Sequence, residues 1–261
     1  MSFFTGCPAG TYQDEEGKAS CKPCPQGFYC YANSTTYQGN QCPKGYYCPE
    51  ATPRPHYNSC EPGTYNPKLQ GNSSLDCLPC DPGHYCACYR NEKPTNSCSA
   101  GFYCPGGDRE AKPSATRCTP GHFCPEASHN MTTCTPGRYC DRDELDDTAG
   151  PCDPGYYCPA GSTSSRQVEC EEGHYCPLES PHPFACQPGY YLPGKKHENV
   201  SECIKCIAGM YCNNSGLNYP DGLCDERYFC PPGQTVSSPN SHPCPVGHFC
   251  LKGSPLPERC P

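Results

Sequence analysis

Tryptophan is absent, and methionine occurs three times and phenylalanine eight times in 261 residues. Apolar residues reach 34% only with cysteine included. That leaves too little to build the single large hydrophobic core a chain of this length normally supports. No apolar run nears the ~20 residues of a membrane-spanning helix. Basic residues are outnumbered, 19 against 27 acidic, for a net charge of −8. Without a basic stripe there is no electrostatic footprint for nucleic acid. Helical periodicity is lacking, and "CDRDELDDTAGPC" (Cys140 to Cys152) is the best helix candidate. The opening "MSFFTGCPAG" lacks the basic region and apolar stretch of a secretory leader.

Cysteine, proline and glycine are abundant instead, at 30, 34 and 26 residues. Cysteine exceeds the ~8–10% that marks a disulfide scaffold. The even count suits full pairing, and so many thiols call for an oxidising compartment, the secretory pathway and then the cell exterior. That conflicts with the missing leader. We therefore expect these residues to be a segment of a longer secreted or surface-anchored chain.

The cysteines are periodic. Modules open at Cys7, Cys24, Cys42, Cys60, Cys80, Cys98, Cys118, Cys134, Cys152, Cys170, Cys186, Cys206, Cys224 and Cys244, and Cys260 stands where a fifteenth would begin. The third residue after each opening cysteine is glycine, except at Arg227. The fifth is always aromatic: Tyr12, Tyr29, Tyr47, Tyr65, Tyr85, Tyr103, Phe123, Tyr139, Tyr157, Tyr175, Tyr191, Tyr211, Phe229 and Phe249. The sixth is cysteine in eleven short modules: Cys30, Cys48, Cys86, Cys104, Cys124, Cys140, Cys158, Cys176, Cys212, Cys230 and Cys250. The long modules opened by Cys7, Cys60 and Cys186 lack it and carry Cys21, Cys77 and Cys203 three residues before the next opening cysteine. Cys88 and Cys260 are left over as unpaired or intermolecular candidates, and the partner of Cys88 is expected outside this segment or in another chain.

Proline-glycine after the opening cysteine predicts a tight turn. The aromatic pair after it predicts a short strand, and the rest reads as polar loop. The fold expected is a linear array of small disulfide-rich β modules with short hairpins and essentially no helix. Each aromatic is expected to pack on the disulfides and on the next module. The array divides at the long modules into 1–59, 60–185 and 186–261. Long modules are expected to close on themselves, as Cys7–Cys21, while for short modules pairing stays open: self-closure (Cys24–Cys30) and cross-connection of successive modules (Cys24–Cys42 with Cys30–Cys48) fit the parity equally.

The long form "CPAGTYQDEEGKASCKPCPQGFYC" resembles the ephrin-receptor-like cysteine-rich repeat, and in style the modules of tumour-necrosis-factor receptors. Modules of this look occur in receptor ectodomains, adhesion proteins and long surface proteins of ciliates and algae. Many uninterrupted modules, mostly short, look most like that last group, which includes proteins similar to mastigoneme filament subunits. The resemblance implies an extracellular structural protein that self-associates into a surface filament, or alternatively a receptor or adhesion stalk that binds a protein ligand.

Catalysis and cofactors find little support. Cys21/Cys24, Cys77/Cys80 and Cys203/Cys206 have zinc-knuckle spacing, but they are not assembled as paired sets of four ligands. His84, His122, His174 and His248 share a position that other modules fill with varied residues, so a ligand role is not expected. Asp141, Asp143, Glu144, Asp146 and Asp147 lack the glycine and closing glutamate of a calcium loop and read as a solvated run. The site chemistry with substance is N-glycosylation at the Asn-x-Ser/Thr motifs of Asn33, Asn72, Asn130, Asn199 and Asn213. All five lie between the aromatic and the next opening cysteine. Asn58 and Asn96 precede x-Cys and are not expected to be used.

Overall fold

The computed structural model describes residues 6–261. Residues 1–5, half of the stretch weighed as a leader, lie outside the described residues. Among the described residues, twenty strands of two residues each pair into ten two-stranded sheets. Three single turns of 3-10 helix, Ser74–Asp76, Ser114–Thr116 and Val200–Glu202, are the only helical elements among the described residues.

The module forms from local rules. The third-position glycine takes a positive φ, +90° at Gly10, and Thr11 N–H closes the turn on the Pro8 carbonyl. In ten modules the two residues that follow pair antiparallel with the two that precede the next opening cysteine, and in the modules opened by Cys24, Cys42, Cys98 and Cys224 a single antiparallel bridge takes their place. Thr11–Tyr12 thus faces Lys22–Pro23, and Tyr156–Tyr157 faces Val168–Glu169. The variable stretch is the loop of this hairpin.

The segment from Cys140 to Cys152 is not a helix. Its flanks, Arg138–Tyr139 and Gly150–Pro151, pair as strands. Glu144 is left-handed at φ 60°, a conformation that interrupts any right-handed helix. Leu145 is buried.

Fourteen disulfides settle the pairing in favour of self-closure. Every short module is closed over six residues, as in Cys24–Cys30 and Cys42–Cys48. The long modules are closed as Cys7–Cys21, Cys60–Cys77 and Cys186–Cys203. The cross-connected scheme is not adopted. The glycine turn already brings the Cys24 and Cys30 Cα atoms to 5.9 Å, within ordinary disulfide reach. Cys88 and Cys260 remain as exposed thiols.

The chain divides into two compact bodies. One comprises Met1–Thr119, Phe123–Thr132 and Asp143–Asp147, and the other Pro120–His122, Thr133–Arg142 and Thr148–Pro261. Each has the same internal order. In the first, Gly10 N–H donates to the Cys30 carbonyl, Cys24 N–H to the Gly10 carbonyl, and Cys30 N–H to the Thr52 carbonyl. In the second, Gly137 N–H donates to Cys158 O, Cys152 N–H to Gly137 O, and Cys158 N–H to Ser180 O. These bonds repeat from module to module and join each one to its successor. Buried backbone groups are thereby paired without a conventional sheet, as burial requires.

The core is mostly sulfur. Cys24, Cys30, Cys42, Cys48 and most other bridged cysteines have no exposed surface. The module aromatics are largely half-buried, Tyr12 is buried and Phe249 is exposed. They do not form a ring-on-ring column. Tyr12 meets Tyr37 of the next module at 5.0 Å. The other ring contacts, such as Tyr175 with Phe184, lie within one module. Tyr12 packs on the Cys24–Cys30 bridge and Tyr29 against the Cys42–Cys48 bridge of the next module, and hydrogen bonds and close backbone contacts join the same neighbours.

Candidate functional site

The feature repeated along both bodies is a seat at the third-position glycine. A second residue of each module, nine or ten after the opening cysteine, is also left-handed. Its N–H donates to the opening cysteine of the preceding module: Ala51 to Cys24, Glu144 to Cys118, Lys196 to Cys170. Its carbonyl oxygen then lies against the glycine two modules back. A Cβ added at Gly10 would stand 2.4 Å from the Ala51 oxygen, at Gly101 2.6 Å from Glu144, and at Gly155 2.8 Å from Lys196. No side chain fits at such separations. Glycine is therefore required twice over, for its positive φ and for the approach of the second neighbour.

Eight of the nine non-glycine residues with positive φ occupy this second position: Asn33, Ala51, Gln70, Arg90, Ala127, Glu144, Glu179 and Lys196. The ninth is Arg227, in the glycine position itself. Sequence reasoning found the glycine and missed its partner, because the partner is glycine only at Gly17, Gly107, Gly161, Gly216, Gly233 and Gly253 and its offset varies by one. Side chains follow the same two-module spacing. Arg138 pairs with Glu179 and Lys196 with Glu169, each at 2.8 Å. These pairs are half-exposed, so each adds little.

The cysteines with zinc-knuckle spacing are all bridged, so no free thiolates remain there for a metal. No cluster of three or more His, Cys, Asp or Glu side chains is arranged to hold a metal among the described residues. In the acidic run, Asp141 faces Arg142 at 3.1 Å and Asp143 faces Arg117 at 3.9 Å. The histidines at the shared position turn Nδ1 back to a backbone carbonyl two residues earlier, His84 to Pro82, His174 to Glu172 and His248 to Val246. Nδ1 of His122 is buried without a partner among the described residues.

The five sequon asparagines, Asn33, Asn72, Asn130, Asn199 and Asn213, are all exposed. Asn130 and Asn199 use Oδ1 to accept from Met131 and Ser201 N–H. None of the five commits its Nδ2 to a hydrogen bond among the described residues. Three asparagines outside the motif behave differently: Asn66 Nδ2 donates to Tyr46 O, Asn91 Nδ2 to Thr64 O, and Asn218 Nδ2 to Glu172.

The long modules carry the most developed loops. In the module opened by Cys186, the His197 ring lies 2.6 Å from a Glu202 carboxylate oxygen and 2.8 Å from the Pro193 carbonyl. Both partners offer acceptor oxygens, a setting that favours the doubly protonated ring. The Glu202 hydrogen bond raises the His197 pKa above its ordinary value, and the same bond holds Glu202 below its own. Glu202 also accepts from Glu198 and Asn199 N–H, which caps the turn Val200–Glu202. In the module opened by Cys7, Lys22 bridges Asp14 and Glu15, and its hydrogen bonds hold both carboxylates low.

Among known proteins, residues 5–38 match the family described as tyrosine-protein kinase ephrin type A/B receptor-like. That stretch holds the first long module and most of the short module after it. No curated protein matches the chain. The family likeness and the disulfide-rich modules together suggest an extracellular protein built of cysteine-rich repeats.

Proposed function

We propose that this chain is an extracellular architectural protein, a glycosylated, disulfide-stapled array that contributes to a surface filament. The observation that carries this reading is the repeated seat, in which each module grips the next and the one after it. Such contacts resist bending and extend by adding modules. The bridges contribute about 2–4 kcal/mol each and replace the missing apolar core. Glycans on Asn33, Asn72, Asn130, Asn199 and Asn213 would supply solubility and protease resistance. The reading assigns no catalysis, cofactor or nucleic-acid partner to the chain. Its partners are further copies of itself or other extracellular proteins.

The second reading is the stalk of a receptor or adhesion protein, favoured by the family likeness over residues 5–38. Electron microscopy of the purified glycoprotein separates the two. The filament reading expects regular assemblies that grow with concentration. A protein monomeric at all concentrations that captures a soluble protein ligand would replace it with the stalk reading.

A further inference from the structure

Two long modules place a sequon beside aliphatic side chains that nothing covers. In the module opened by Cys60, Asn72 adjoins the turn Ser74–Asp76. It lines a groove of about 150 Å³ with Leu69, Leu75 and Leu78. Leu75 is 87% exposed and Leu69 52%. In the module opened by Cys186, Asn199 caps the turn Val200–Glu202. Val200 and Ser201 of that sequon line a groove of about 320 Å³ with Tyr190, and Val200 and Ile204 are exposed. Leu78 and Ile204 are equivalent, each directly following the second cysteine of its long module. Contiguous exposed apolar groups mark interaction surfaces, and Leu69, Leu75 and Leu78 share one groove with Asn72.

We infer that the first sugar of an N-linked glycan on Asn72, and of another on Asn199, packs over these aliphatic side chains and completes the long modules. This rests on the glycosylation reading above. The acceptor chemistry is in place. Oδ1 of Asn199 is held by Ser201 N–H at 3.0 Å, which leaves Nδ2 free. In the transfer, Nδ2 bonds to the anomeric carbon of an oligosaccharide donated from a polyprenyl pyrophosphate. The bond from sugar to pyrophosphate breaks with its electron pair, and one amide proton is released. An N-acetylglucosamine ring has an apolar C–H face beside its hydroxyls. Tethered directly to Nδ2, it reaches adjoining side chains, which include Leu69, Leu75 and Leu78 at Asn72 and Val200 next to Asn199.

The test uses the secreted glycoprotein bearing oligomannose chains. Glycopeptide mass mapping reads occupancy, and hydroxyl-radical footprinting reads the exposure of Leu75, Leu78, Val200 and Ile204. Three further samples are compared: protein trimmed by an endoglycosidase to one N-acetylglucosamine, and the variants Ser74→Ala and Ser201→Ala. These variants abolish the sequons while keeping the backbone N–H groups of both turns, and neither hydroxyl makes a hydrogen bond among the described residues. Labelling should be low in the intact and trimmed proteins. It should rise several-fold at Leu75 and Leu78 in Ser74→Ala, and at Val200 and Ile204 in Ser201→Ala. Occupied asparagines with equal labelling in all samples would overturn the packing while leaving glycosylation standing. Unoccupied asparagines would overturn the glycosylation reading at these sites and the inference with it.

Discussion

Short and long modules share a backbone and differ in where they are stapled. In a short module the sixth residue is a cysteine bridged over six residues. In the long modules that place is held by Gln13, Asn66 and Leu192, and the module closes instead over 14 or 17 residues. The backbone bond made there is nevertheless kept. Gln13 N–H donates to Ser34, Asn66 to Asn91 and Leu192 to Leu217, as Cys30 donates to Thr52. Asn66 and Leu192 are as buried as the cysteines they replace. The ladder and the glycine seat therefore define the module, and the disulfide is a staple that can be moved.

The largest effect expected is loss of all staples. With almost no apolar core beneath them, full reduction should abolish cooperative unfolding. A reduced chain that retains the amide-exchange protection of Cys24 and Cys152 would refute the dependence on disulfides. Moving one staple probes the comparison more finely. A short loop contributes about 2.4 kcal/mol and a long one about 3 kcal/mol on chain-entropy grounds. Cys77→Ser alone should cost about 3 kcal/mol in its module. Adding Asn66→Cys should restore most of this, because a thiol at position 66 stands where short modules bridge to the opening cysteine. A double variant in which Cys60 still titrates as a free thiol would break the equivalence of the two forms.

A smaller effect separates the long modules from one another. His197 pairs with Glu202 in the module opened by Cys186, whereas the module opened by Cys60 caps its turn with Asp76 and has no such histidine. The His197 pKa is raised, so its contribution is complete below the usual ~6.5 and is lost as pH rises through the folded value. The Glu202 pKa is lowered, so its contribution is present above the usual carboxylate range and is lost as pH falls through its folded value. The clamp should hold between these limits. A nuclear magnetic resonance titration should place the His197 midpoint above that of a free histidine. Amide exchange at Glu198 and Asn199 should quicken on the alkaline side, and His197→Gln should remove that step. An unshifted midpoint would remove the clamp from the account.

Much of this architecture was legible in the residues. Cysteine spacing gave the modules, glycine after proline gave the turn, and the aromatic pair gave the strand. The failures have physical causes. Pairing was open because both schemes satisfy parity, and only the 5.9 Å approach set by the turn decides between them. The candidate helix failed because Glu144 is held left-handed by its bond to the Cys118 carbonyl, an interaction between modules that no local pattern reveals. Packing of the module aromatic on the next module's bridge is present at Tyr12 and Tyr29, whereas the backbone contacts that run beside it leave no residue signature. The sequons were legible as a motif, but the exposed leucines beside Asn72 needed coordinates.

The seat itself is tested most directly by one paired measurement. Gly101 and Gly247 have nearly equal φ, +84° and +81°. A Cβ at Gly101 would collide with the Glu144 carbonyl, whereas one at Gly247 would meet nothing within 4 Å. Alanine at either site bears the left-handed cost of about 1–2 kcal/mol. Only Gly101→Ala should add an overpacking cost of about 1–3 kcal/mol. The reporters are the Cys118 and Cys260 amides, which donate to the Gly101 and Gly247 carbonyls. Hydrogen exchange at Cys118 in Gly101→Ala should lose more protection than exchange at Cys260 in Gly247→Ala. Equal losses at the two sites would contradict the seat as the contact that builds the array.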